Sequence, residues 1–348
     1  MRVVETQSFM KLFSNFLASI AMLSMLSLAT SCENSGEQPT TPTEPEYVTV
    51  SLGLNVGLDY EYEPLTRAEE NNDLYGIQVY STPYPAAENA KWTKFAYGLF
   101  DTTDNLTIKL VRGYEYKFVA LMVRDGKDTI DSLPNGEGNI SYMAPFKHFY
   151  DETSGNTEVR GTSLSELFIY SNSGMMLEWY REHLVAELYY GELVGYIPGD
   201  NDSKATIELK RTSFGAKFIA KGDYAENGTL EIIMGNEPQP QLTLNLAEGN
   251  EISGIFSFSD VRAAWIDENY TETVPVLLRI AYSDGSTAPL GTHDITFKRN
   301  ITTVVNVDLS VGSDSGVGFV VTDGGEMPEG DEITIKDGEI VDTEIETN

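Results

Sequence analysis

Short runs in which apolar and polar residues alternate one by one recur from Tyr47 to Leu309, and a chain written this way can bury its apolar set only as half-covered strands. The runs are Tyr47–Val56, Leu74–Tyr80, Leu106–Leu110, Tyr114–Val123, Ala205–Lys210, Ala216–Ala220, Thr229–Met234, Gln241–Leu246, Val276–Tyr282, Asp294–Phe297 and Thr302–Leu309. Asp125-Gly126, Asn227-Gly228 and Asp284-Gly285 punctuate them as turns. Strands of this length and spacing predict an all-β chain of tandem β-sandwiches. About a dozen strands exceed one small sandwich, and the polar stretch Pro198–Ser203 interrupts the series, so two domains are expected, 47–200 and 201–348. Met175–Leu188 breaks the pattern with apolar residues at helical spacing and is expected to form one short helix.

Ahead of the first strand the chain has a different character. Met10-Lys11 precedes a mostly apolar stretch from Leu12 to Ala29 and then small residues, the order of a secretory signal peptide, expected here over 1–31 with Met10 as the initiator. Ser14, Asn15, Ser19, Ser24 and Ser27 make that stretch a poor permanent membrane span. Ala29-Thr30-Ser31-Cys32 resembles the lipobox of bacterial lipoproteins, which implies cleavage between Ser31 and Cys32 and lipid on the Cys32 thiol; the departure is Ala29, where that motif most often carries leucine. Cys32 is the only cysteine among 348 residues, so neither a disulfide within the chain nor a cysteine-based metal site is available. Residues 32–46 hold no large apolar side chain before Tyr47 and are expected to be a disordered tether.

Asp and Glu number 54 against 23 Lys and Arg, a balance that repels nucleic acid and argues against it as a partner. No His-Glu-x-x-His, Gly-x-Ser-x-Gly, phosphate-loop or dinucleotide pattern occurs, and His148, His183 and His293 are far apart, so no catalytic residues, metal or cofactor are expected. Asp125-Gly-Lys-Asp128-Thr-Ile-Asp131 and Asp200-Asn-Asp202 gather oxygen ligands without the spacing of an EF-hand loop and read as solvated turns.

Tyr116–Ala120, Glu166–Tyr170, Ile207–Phe218 and Arg299–Asn306 are similar to strand signatures of the Bacteroidetes fimbrillin-like lipoproteins, the subunits and anchors of type V pili. The resemblance implies transthyretin-like sandwiches at the cell surface, attached to the outer membrane through lipid or built into a fimbrium, with other pilin subunits as partners. It also implies cleavage at an arginine in the loop after the first strand, which removes that strand and opens a groove for a strand from another subunit. The matching positions are Arg67 and Ala68, within Glu63–Glu70, and the alternative is an anchor that keeps its lipid. Candidate donor strands are Gly318–Val321 and Glu332–Val341, the latter alternatively an edge hairpin around Asp337-Gly338. A second function class is a glycan-binding surface lipoprotein of a polysaccharide uptake system, for which Trp92, Trp179, Trp265, Tyr189 and Tyr190 would have to form exposed aromatic platforms.

Overall fold

The computed structural model describes residues 45–56, 72–134, 140–146, 183–199, 204–222, 228–235, 237, 239–309 and 319–326. By contact the chain divides into Met1–Pro45 and Glu46–Asn348, and all strands among the described residues belong to the second unit. In chain order they are β1 (Tyr47–Val56), β2 (Leu74–Pro83), β3 (Thr93–Phe100), β4 (Thr107–Val111), β5 (Tyr114–Val123), β6 (Ser132–Pro134), β7 (Ile140–Tyr142), β8 (Leu188–Tyr196), β9 (Lys204–Arg211), β10 (Ser213–Lys221), β11 (Gly228–Met234), β12 (Leu242–Asn245), β13 (Glu251–Ser257), β14 (Thr271–Tyr282), β15 (Thr287–Lys298), β16 (Ile301–Asp308) and β17 (Phe319–Glu326). Two short helices, Gly126–Thr129 and Val261–Ile266, also lie among the described residues. The protein is all-β, as the alternation predicts.

The first assembly is a seven-stranded sheet in the order β3-β2-β5-β8-β9-β1-β4. Its middle is a seam: β8 and β9 share only the pairs Tyr189↔Arg211 and Tyr190↔Lys210. The sheet folds there, so that Ile77, Val79, Phe118 and Met122 of one half meet Val50, Ile108, Ile207 and Leu209 of the other in one core. A single sheet thereby supplies both layers of a sandwich. At the crossing a Cβ on Gly191 would lie 2.2 Å from the Glu208 carbonyl oxygen, so only glycine lets the two backbones approach this closely. Gly191→Ala is expected to lower stability by about 1–3 kcal/mol through forced separation of β8 and β9, read as a shift in the urea midpoint.

The outer face of the four-stranded half is covered as well. Leu74, Leu99, Leu121, Val123 and Leu188 pack there with Ile130, Tyr142, Phe146 and Val261. Strands buried on both faces lose strict alternation, which explains the near-continuous apolar runs of β2 and β5. The same effect governs the last residues of the expected helix: His183–Glu187 is not helical and Leu188 begins β8, while Met175–Glu182 lies outside the described residues. Leu188 and Tyr190 enter the outer core and Tyr189 the inner one, so a doubly buried strand imitates helical spacing.

The second assembly packs sheet β13-β10-β16-β17 on sheet β12-β11-β14-β15. Phe214 sits at the centre of its core, 4.3 Å from the ring of Phe297, 4.9 Å from Phe258 and 5.8 Å from Phe256. The changeover between assemblies falls at Thr212, because β9 belongs to the first sheet; the expected division at 200/201 instead lies in the connection between β8 and β9. Each assembly contains one parallel pair, β1 with β9 and β10 with β16. The backbone of Phe319–Val321 pairs antiparallel with β16 in its own chain, and residues 332–341 lie outside the described residues.

Candidate functional site

The strand β1 occupies an interior place in the first sheet, yet it is the first strand among the described residues. Its beginning, Tyr47–Ser51, pairs antiparallel with β4, and its end, Ser51–Val56, pairs parallel with β9, so each neighbour holds one half. Alternation places Val50 and Leu52 in the core with Val48 and Leu54 at its margin, while Thr49, Ser51 and Asn55 are exposed. Burying the Val50 and Leu52 side chains stabilises the strand by about 1.5–3 kcal/mol each. Polar ties fasten the two ends. Arg112 donates its backbone N–H to the Glu46 carbonyl (2.9 Å) and forms an ion pair with the Glu46 carboxylate (2.7 Å), and Asn55 Nδ2 donates to Glu208 Oε2 (2.7 Å).

From Val56 the chain passes through residues 57–71 to β2 in the other half of the sheet. Arg67 and Ala68 fall in that passage and, like Ser31 and Cys32, lie outside the described residues. Taking β1 away would unpair one edge of β9 and leave β4 with no partner in the sheet order. The vacated position has pockets for alternate side chains and two backbone edges, the geometry that an extended strand from another chain can fill.

Beside this sheet the two assemblies meet through an ion pair between the buried Glu192 carboxylate and the exposed Arg262. Glu192 on β8 accepts hydrogen bonds from Arg262 Nε (2.7 Å) and Tyr190 Oη (2.6 Å), with Lys117 Nζ at 3.4 Å. Burial opposes its charge, but the hydrogen bonds from Arg262 and Tyr190 and the charge of Lys117 outweigh this and hold its pKa below the ordinary carboxylate value. A lowered folded-state pKa contributes stability that is complete above the ordinary range and is lost as pH falls through the folded value. The denaturant midpoint is therefore expected to drop on acidification below about pH 4, and Glu192→Gln should flatten that part of the profile. Arg262 extends from the helix Val261–Ile266, whose Trp265 meets Tyr190 edge-on at 5.7 Å, so the helix joins the second assembly to the first.

A second knot ties β9 to the entrance of β8. Arg211 Nε lies 2.8 Å from Glu187 Oε1, Arg124 reaches the same carboxylate at 3.3 Å, and Tyr189 Oη donates to it at 2.7 Å. Burial, with Glu187 adding to it, pushes the Tyr189 pKa up to about 12. Both clusters neutralise buried charge, and neither places a nucleophile beside a base.

Several residues nominated from sequence are placed differently. Tyr189 and Tyr190 are buried, at 2% and 3% exposure, because β8 is covered on both faces, so they are not open platforms. Trp265 is half-buried, Trp92 is exposed, and Trp179 lies outside the described residues. His183 bonds through Nδ1 with the Ser257 carbonyl, His293 lies against the Leu290 carbonyl, and His148 falls outside the described residues. Asp125 turns the chain in left-handed backbone, its N–H donating to Asp73, and Asp128 accepts from Asn72. Among the described residues, no group of three or more His, Cys, Asp or Glu is placed to hold a metal ion, and no helix is long and apolar enough to cross a membrane. Glu192, Glu187, Arg211 and Arg262 escaped sequence reasoning, since no local motif pairs charges that meet only after the sheet folds.

No family model and no curated protein matches the chain. Among solved structures, it is similar to a fimbrial assembly protein of Parabacteroides distasonis, with 12% identity, a TM-score of 0.33, and 80% of this chain and 97% of that one covered. A candidate cell adhesion protein of Bacteroides uniformis matches with 11% identity and a TM-score of 0.31 over 80% of this chain and 98% of that one. The tip fimbrial protein Mfa3 of Porphyromonas gingivalis, with C-terminal truncation, matches with 10% identity and a TM-score of 0.28 over 80% and 100%.

Proposed function

We propose that this chain is a non-catalytic cell-surface lipoprotein of fimbrillin-like type, a subunit or anchor of a type V pilus that joins partner chains by strand exchange at the position of β1. The observation that carries this reading is the interior placement of β1: it is held by one neighbour on each side and followed directly by the connection that contains Arg67. A strand at a sheet edge would expose one backbone row on leaving; this one exposes two and opens apolar pockets at Val50 and Leu52. In this role Cys32 carries the lipid, the signal peptide ends at Ser31, and cleavage between Arg67 and Ala68 separates β1 and the lipid from the rest of the chain.

N-terminal mass spectrometry on protein taken from the cell surface tests the branch. A mature terminus at Ala68 is expected for a shaft subunit, accompanied by oligomers that resist denaturant. A lipidated Cys32 as the only terminus would remove the shaft role and leave the anchor.

A further inference from the structure

The exposed apolar side chains are gathered at one end of the molecule. Among the described residues, six of the ten large exposed hydrophobic side chains, Tyr47, Tyr84, Trp92, Tyr114, Val194 and Ile197, lie at one end of the first assembly. The registers bring them there: Tyr47 stands opposite Val111, Pro83 opposite Tyr114, Ser81 opposite Thr93, and Tyr116 opposite Tyr196. The Tyr84 N–H also donates to the Gly113 carbonyl at 2.9 Å, closing the 83–94 loop onto the hairpin between β4 and β5. Every residue from Pro83 to Lys94 is exposed.

Two further observations identify the occupant. First, the chain enters the sheet at this same end, at Glu46-Tyr47, and only residues 33–46 separate it from Cys32. Even fully extended, those residues reach at most about 50 Å, so lipid on Cys32 would hold this end within that distance of a bilayer. Second, the local charge departs from that of the whole. At this end Lys91, Lys94, Lys109, Arg112 and Lys117 stand against Glu46, Glu88, Glu115 and Glu192, with Arg112 paired to Glu46 and Lys117 to Glu192, a near balance in a chain of formal net charge −31. Tyrosine and tryptophan favour the boundary between headgroups and acyl chains, and adjacent cations favour anionic headgroups. Val194 and Ile197 fit the same surface, since aliphatic side chains enter an apolar boundary but offer no flat face on which a sugar can stack.

We infer that this end is a membrane-facing surface, on which Tyr47, Tyr84, Trp92, Tyr114, Val194 and Ile197 rest in the interfacial layer of the bilayer that anchors the chain. The inference rests on the lipid-anchor reading. It predicts that the anchored protein leans on the membrane with its first assembly instead of standing free of it, which leaves the second assembly outermost.

The test uses protein matured in its own cell envelope and placed on vesicles of phosphatidylethanolamine and phosphatidylglycerol whose acyl chains are brominated. Mass spectrometry of the same sample reads the state of Cys32. A Cys32 without lipid overturns the anchor reading alone, and such protein is coupled through that single thiol to a maleimide lipid, so that the docking arm proceeds. The expected result is loss of the component of tryptophan emission that Trp92→Phe removes. A Val194→Ser, Ile197→Ser double variant, still anchored, should weaken this quenching several-fold. Anchored protein whose Trp92 emission is the same with and without bromine overturns the inference, as does Trp92 emission that answers to a soluble polysaccharide and not to brominated lipid.

Discussion

A chain lacking Tyr47–Val56 is expected to lose the cooperative unfolding transition of its first assembly and to regain it when a peptide of that sequence is added. The loss follows from position. Without β1, the β4 strand has no neighbour in the sheet order, one edge of β9 is bare, and the core that Val50 and Leu52 close is open to water. The regain follows because the rest of the slot is built by other strands and needs only an extended partner of matching alternation. Val50→Asp in the intact chain is the single-residue version: it puts an unpaired carboxylate at a position with 0% exposure, at an expected cost of about 3–5 kcal/mol. Urea denaturation followed by tryptophan fluorescence checks both, and a peptide carrying the same Asp substitution should fail to rescue. Unchanged unfolding of the truncated chain would sink the idea that β1 fills an essential slot.

Phe214→Ala is expected to remove about 3–5 kcal/mol from the second assembly. Phe214 is fully buried and touches the rings of Phe256, Phe258 and Phe297 as well as His183 edge-on at 5.9 Å. These rings come from β10, β13, the segment just after β13, and β15, so truncation loosens both layers at once. Thermal unfolding should show the lower transition in the second assembly, whereas Phe214→Leu, which retains most of the volume, should cost under about 1.5 kcal/mol. Similar losses for both variants would mean that volume is not what the ring supplies.

Where one face of a strand is covered and the other is wet, the sequence announces it. The β9 strand reads exposed and buried in turn from Lys204 to Leu209, and the alternation of β1, from Val48 to Leu52, marks both the strand and its core side. Legibility ends where coverage becomes double. In β8, Leu188, Tyr189 and Tyr190 serve two cores, so nothing in their order separates a strand from a helix. Charges that meet across the junction are equally silent: Glu192 and Arg262 stand 70 positions apart and find each other only after the helix Val261–Ile266 docks on β8. The interior position of β1 was also hidden, because periodicity tells which residues face inward and not which strands are neighbours.

The parallel pairing of β1 with β9 has a consequence for timing. Asn55 and Glu208, bonded in the finished sheet, are separated by 153 positions in sequence. A chain made from its N-terminus at 5–20 residues per second completes that span only on the order of ten seconds after Asn55 appears. Until then the first strand can be held on its β4 side alone, and the entropy of closing so long a loop makes the β9 side the slow step. Of the described strands, the earliest to be synthesised is thus among the last to be secured.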